Sequence, residues 1–210
     1  LVEQTQLALS ETAALYQGSE RVINARDMDD LLSAVVSSSA LSMFNAVYLY
    51  FFDNPWDIQI PDWMILEAVW LKNGEPPEAA RVRYRIKDYP FLHHMTIDNP
   101  FIANDVVNDS RIDLNSSRGF LEPNLHSLVA FPLVVGGQWI GAIFGQSLAR
   151  VSLTTDDTRQ IGALIDQAST VAQNLRLIDQ TQQALSETET LYAIISKLNA
   201  AQDYDTILQA

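Results

Sequence analysis

The two ends of the chain repeat one another. Gln4-Thr5-Gln6-Leu7-Ala8-Leu9-Ser10-Glu11-Thr12 recurs as Gln180-Thr181-Gln182-Gln183-Ala184-Leu185-Ser186-Glu187-Thr188. The offset of 176 holds without a gap over residues 1–34 and 177–210, and 16 of those 34 pairs are identical. Leu15-Tyr16 maps to Leu191-Tyr192, Asp27 to Asp203 and Leu32 to Leu208. Self-similarity at a fixed period marks an array of structural units. One unit therefore occupies about 176 of the 210 residues, and the next begins before the chain ends. The expected division is an N-terminal linker helix over 1–25, a domain over 26–175, a linker helix over 176–200 and the start of a second unit over 201–210.

Composition removes whole classes of function. The formal charge is -13, and cysteine is absent. Without cysteine there are no disulfides, thiol nucleophiles or cysteine-built zinc and iron–sulfur sites. Three histidines leave little from which to build a metal centre. The densest basic cluster, Arg81, Arg83 and Arg85, is too small to grip nucleic acid or an anionic membrane. The longest apolar run, Leu128 to Val135, falls far short of the roughly 20 residues a spanning helix needs. No secretory signal opens the chain. The expectation is a piece of a longer cytoplasmic protein that makes no nucleic-acid or membrane contact.

Hydrophobic spacing places helices at the ends and strands between. Leu1, Ala8, Leu15 and Val22 recur every seven residues, as a narrow helical seam does. Asp27 is placed to cap a second helix to about Ser39, with Leu31, Leu32, Val35 and Val36 on its buried face. From Asn45 to Phe52, aromatic and β-branched residues cover both faces, which predicts a central strand ended by Asn54-Pro55. Met64 to Lys72 is a second strand. Arg81 to Ile86 alternates, with Val82, Tyr84 and Ile86 inward and three arginines outward. Phe101 to Val106 is a short strand candidate. Leu128 to Val135 and Trp139 to Phe144 flank Gly136-Gly137, a hairpin signal. Pro132, which has no N–H to donate, belongs at a bulge or an unpaired position.

Helix returns at Thr154 or Thr155. Leu164, Ala168, Val171, Leu175, Ile178, Gln182 and Leu185 then follow steps of four and three, and neither Pro nor Gly intervenes after Gly162. About 45 residues of helix would span roughly 70 Å, against about 40 Å for a globule of about 150 residues. A helix outreaching its own domain with an apolar seam needs a partner, and a second copy of the chain is the economical one. Gln182 interrupts that seam, and the repeat beyond it slips to Leu191, Ile195 and Leu198, as at a stutter.

The order of elements, with the detail of Ser127 to Gly145, resembles a GAF domain. That segment carries Pro132-Leu133, the Gly136-Gly137 turn and then Trp139-Ile140-Gly141. Asp156, Ile161, Leu164, Ala168, Ala172, Asn174 and Leu177 are similar to the family's closing helix, and Asp105 to Ile112 to the segment after its middle strand. A PAS domain is the related alternative, but its hairpin lacks this spacing. The resemblance covers about residues 24–178. It implies an α+β fold: a six-stranded antiparallel sheet, terminal helices on one face, and loops with short helices on the other. It also implies a sensory or regulatory module of a multidomain signalling protein, adjacent to further GAF and output domains. In that role it would couple a small molecule or partner to movement of a dimeric signalling helix. The alternative is a ligandless spacer that only dimerises and holds register.

The family's pocket suggests ligand-binding candidates. They are Tyr48 and Tyr50 on one face of the central strand, Tyr84 on the alternating strand, His93 and His94, Asp105 and Arg111, and His126. Each has a plainer reading: core packing for the tyrosines, loop or strand-end positions for the histidines, and a local ion pair for Asp105, Asp109 and Arg111. Covalent bilin attachment needs a cysteine, and the family's cyclic-nucleotide signature is missing, so the cofactor is left unknown. Asp29-Asp30 and Asp156-Asp157 fall at helix starts. No nucleophile elbow or phosphate loop is present. Neither a catalytic nor a metal site is expected.

Overall fold

A computed structural model describes residues 16–74, 82–112 and 124–208. Residues 1–15, the N-terminal part of the repeat, lie outside the described set, as does Arg81. Residues 16–23 are helical. Helix α1 spans Met28–Ser37, and Asp27 caps it by accepting the Asp30 N–H at 2.8 Å. Leu31, Leu32, Val35 and Val36 are fully buried. The sequence places this helix correctly because cap and apolar spacing agree.

Six strands follow: β1 (Ala46–Trp56), β2 (Trp63–Leu71), β3 (Arg83–Arg85), β4 (Phe101–Ala103), β5 (Ser127–Val135) and β6 (Gln138–Ser147). They form one antiparallel sheet in the order β3-β2-β1-β6-β5-β4. The hairpin turn joining β5 to β6 is Gly136-Gly137, at φ 59° and 79°. A two-residue turn with both φ positive matches strand twist and favours glycine. Pro132 stands opposite Ala142, where β5 has run past β4, and the register slips at Leu133/Val134.

Strand β1 runs past its expected end. Asn54-Pro55 does not end β1, which continues to Trp56 and pairs there with Trp139. The ladder to β6 is irregular between Phe51 and Trp56, so Pro55, without an N–H, sits inside the irregularity. The Trp56 and Trp139 rings stack at 4.5 Å and 13° and carry the strand across it.

Both faces of the sheet are covered. Tyr50 and Phe52 of β1 belong to a core built with Ile86, Phe91 and Leu92, from the short 3-10 turns Ile86–Asp88 and Pro90–His94, and with Tyr89 and Met95, which flank the second turn. Val47, Leu49 and Phe51, which alternate with them, are also fully buried. They belong to the face covered by helices, where α1 packs on β1 and β2. Helix α2 is continuous over Thr155–Leu208. Ile161, Leu164, Ile165, Ala168 and Ala172 on it are buried. The chain divides into two compact units, 1–172 and 173–210, the second consisting of the later part of α2.

Candidate functional site

The tyrosines lie on the loop side of the sheet, away from the helices. Tyr50 meets Tyr84 at 5.8 Å edge-on, Tyr48 at 6.2 Å and Phe144 at 4.9 Å. Tyr89 continues the series, 6.2 Å from Tyr84 and 6.1 Å from Phe91. Phe91 packs on Phe144 and Phe101 at 5.7 and 5.1 Å. Burial raises the phenols of Tyr50 and Tyr89 above their ordinary range, and neighbouring tyrosines add to the shift. These hydroxyls therefore stay protonated and uncharged. Between this sheet face and the short turns the described residues place a cluster of buried rings, in the edge-on and tilted arrangements that aromatic pairs favour.

Asp105 and Arg111 occupy separate local networks. Arg111 donates from Nε and a terminal nitrogen to the two oxygens of Asp109 at 2.9 and 2.6 Å, and to the Ile102 carbonyl at 2.6 Å. Its guanidinium lies 4.3 Å over the Phe101 ring. These contacts pin the loop to β4. The Arg111 hydrogen bonds, helped by charge, hold the Asp109 carboxyl below its usual range. Asp105 accepts from Asn108 at 2.8 Å and from Arg150 at 2.6 Å; the Asn108 bond is the main cause of its lowered pKa. His94 is exposed. His126 is half-buried at the entry to β5. Its main chain bonds Val106 and Ser147, while Nδ1 is buried without a hydrogen-bond partner.

His93 lies elsewhere. Its ring meets Trp56 at 5.6 Å and lines a cleft of about 420 Å³ with Ile60, Pro61, Asp62, Trp63, Arg85, Ile86 and Lys87. The eight candidates thus fall into an aromatic core, two loop networks with His94 and His126 beside them, and one open cleft. Sequence reasoning missed Trp56, Trp63, Tyr89 and Lys87. The alternation that turns Arg83 and Arg85 outward was the available signal for the cleft, since Trp63 is the cross-strand partner of Arg85. Among the described residues no three His, Asp or Glu side chains are grouped to hold a metal ion. No described helix is long and apolar enough to cross a membrane.

The α2 seam is divided by burial. Leu164 and Ala168 are consumed by the chain's own core, at 1% and 0% exposure. Val171 and Leu175 are half-buried. Ile178, Gln182 and Leu185 are exposed, as are Leu177, Leu191 and Ile195. A helix face that is buried along one stretch and exposed along the next is invisible to periodicity, which continues unchanged across both.

No protein-family model matches the sequence, and no curated protein does. Solved structures match its fold. The GAF domain of a phosphoenolpyruvate-protein phosphotransferase from Coxiella burnetii has a TM-score of 0.62 at 16% identity, over 82% of this chain and 98% of that one. The phycocyanobilin-bound GAF domain of a cyanobacterial phytochrome gives 0.59 at 14% identity, over 80% and 96%. The chromophore-binding domain of an unusual bacteriophytochrome from R. palustris gives 0.61 at 11% identity, over 82% of this chain and 63%, under two thirds, of that one. The chain has the GAF fold.

Proposed function

We propose that this chain is a sensory or regulatory GAF module of a multidomain cytoplasmic signalling protein, regulatory rather than catalytic. It acts as a homodimer, with a second copy lying along the later part of α2. The carrying observation is that α2 is one helix whose earlier apolar residues are buried in the domain core, while Ile178, Leu185, Leu191 and Ile195 are exposed. A ligand or partner that favours one arrangement of the sheet shifts that helix, by no more than its differential affinity for the two arrangements. The 176-residue repeat supports a tandem setting. The matched structures include a phytochrome photosensory core module and a GAF domain/HD domain protein, which supports neighbouring domains. The cysteine-free chain permits a clean test by single-cysteine crosslinking. Ile178→Cys and Leu185→Cys should crosslink between copies, and Asp179→Cys and Gln183→Cys should not. Equal yields at all four positions would contradict a paired seam.

A second reading, the ligandless spacer, is favoured by the aromatic filling around Tyr50, Tyr89 and Phe144. Native mass spectrometry of protein from its own host separates the two. A retained small molecule supports sensing, and a bare dimer supports the spacer.

A further inference from the structure

The open cleft beside β3 gathers positive charge on a strongly acidic chain. Three cationic or cation-capable side chains line it, each from a different anchor. Arg85 ends β3, and its guanidinium lies 4.8 Å from the Trp63 ring; Arg83 lies 4.9 Å from the same ring. Lys87 comes from the 3-10 turn Ile86–Asp88, whose first residue donates its N–H to the Asp62 carbonyl at 3.1 Å. His93 comes from the turn Pro90–His94 and leans on Trp56, which is itself stacked on Trp139. Arg85 and Lys87 make no ion pair among the described residues, although the chain carries 26 acidic groups. An aromatic brace fixes a guanidinium without using its N–H donors. The fork is thus held ready while its hydrogen-bonding capacity is unspent.

We propose that this cleft binds a small organic phosphate, its phosphate group held by Arg85, Lys87 and His93 and its apolar body lying against Trp63 and Ile60. A phosphate monoester offers close to two negative charges and three terminal oxygens, one oxygen set for the planar Arg fork and one for the compact ammonium of Lys87. A monocarboxylate would leave one of these two cations uncompensated. Among the described residues Asp62 is the one carboxylate lining the cleft. It disfavours a second phosphate and can accept a hydroxyl from the ligand body. A cleft of about 420 Å³ suits a small ligand. This goes beyond the regulatory reading by placing a ligand outside the aromatic-filled interior. None of its lining residues belongs to α2, so its failure would leave the proposal for that helix untouched.

The test is isothermal titration calorimetry on the full chain, with phenyl phosphate as the probe. Saturable one-to-one binding is expected. Arg85→Gln and Lys87→Gln should each weaken it about tenfold, and Lys72→Gln, at the far end of β2, should leave it unchanged. Both cleft residues are exposed, and circular dichroism checks that the variants fold. Absence of saturable binding would overturn the proposal, as would equal weakening by Lys72→Gln. Benzoate binding as tightly as phenyl phosphate would overturn the phosphate assignment.

Discussion

The Val134 backbone N–H donates to the Ser169 hydroxyl at 3.2 Å, joining β5 to α2. Ser169 is fully buried and donates in turn to the Ile165 carbonyl at 2.7 Å. The bond falls where the β5–β6 register slips, so a helix side chain serves a strand group at the break in the ladder. Ser169→Ala should lower stability by about 1–3 kcal/mol, the cost of leaving a backbone donor unpaired. Chemical denaturation checks this, and a midpoint unchanged from the parent chain would remove the link.

Two glycines should respond in opposite directions. A Cβ on Gly141 would stand 2.1 Å from the Tyr50 carbonyl oxygen, a clash with backbone that no rotamer relieves. Gly141→Ala should cost at least about 1–3 kcal/mol, as overpacking does. Gly162 lies in α2 with nothing near its missing Cβ, so Gly162→Ala should stabilise by about 0.5–1 kcal/mol through helix propensity. Thermal melts of the two variants should move apart.

Acid should loosen the loop held by Asp109. Its pKa is lowered in the folded chain, chiefly by hydrogen bonds from Arg111. That contribution is therefore present above the unfolded carboxyl value of about 4 and fades as pH falls through the lower folded value. Asp109→Asn should flatten the acid limb of the stability profile below about pH 4 and leave its shape near neutrality unaltered. An acid limb identical in parent and variant would contradict the assignment.

In the proposed dimer the division of the α2 seam should separate folding from association. Leu164→Ala, in the domain core, should cost about 2–5 kcal/mol in unfolding and leave the affinity between copies unchanged. Leu185→Asp should do the reverse, because Leu185 is 61% exposed. Gln182→Leu should tighten association by filling the polar gap in the seam. Sedimentation equilibrium on the three variants reads these outcomes, and an association constant unaltered by Gln182→Leu would count against the seam.

Much of the fold was legible because local and global signals agree. Asp27 with its following apolar positions specifies α1, and Gly136-Gly137 between two apolar runs specifies the hairpin. The overrun of β1 was not legible, because Pro55 marks a break locally while the Trp56–Trp139 stack, a contact between residues far apart in sequence, overrides it. The candidate site was legible only in part. Alternation put Tyr48 and Tyr50 on one face but could not say which layer covers it, and the rings of Tyr84, Tyr89 and Phe91 that fill that side come from later segments. Arg83 and Arg85 could be seen to point outward. That they flank Trp63 depends on the register between β2 and β3, which no short window contains.

In the proposed dimer the exposed apolar face of α2 beyond Ala172 is covered by a second copy of the chain. Sedimentation velocity of the cysteine-free chain tests it most directly. A reversible species of twice the 23.5 kDa chain mass, converted to single chains by Leu185→Asp, is expected. One 23.5 kDa species at every concentration, identical in parent and variant, would contradict it.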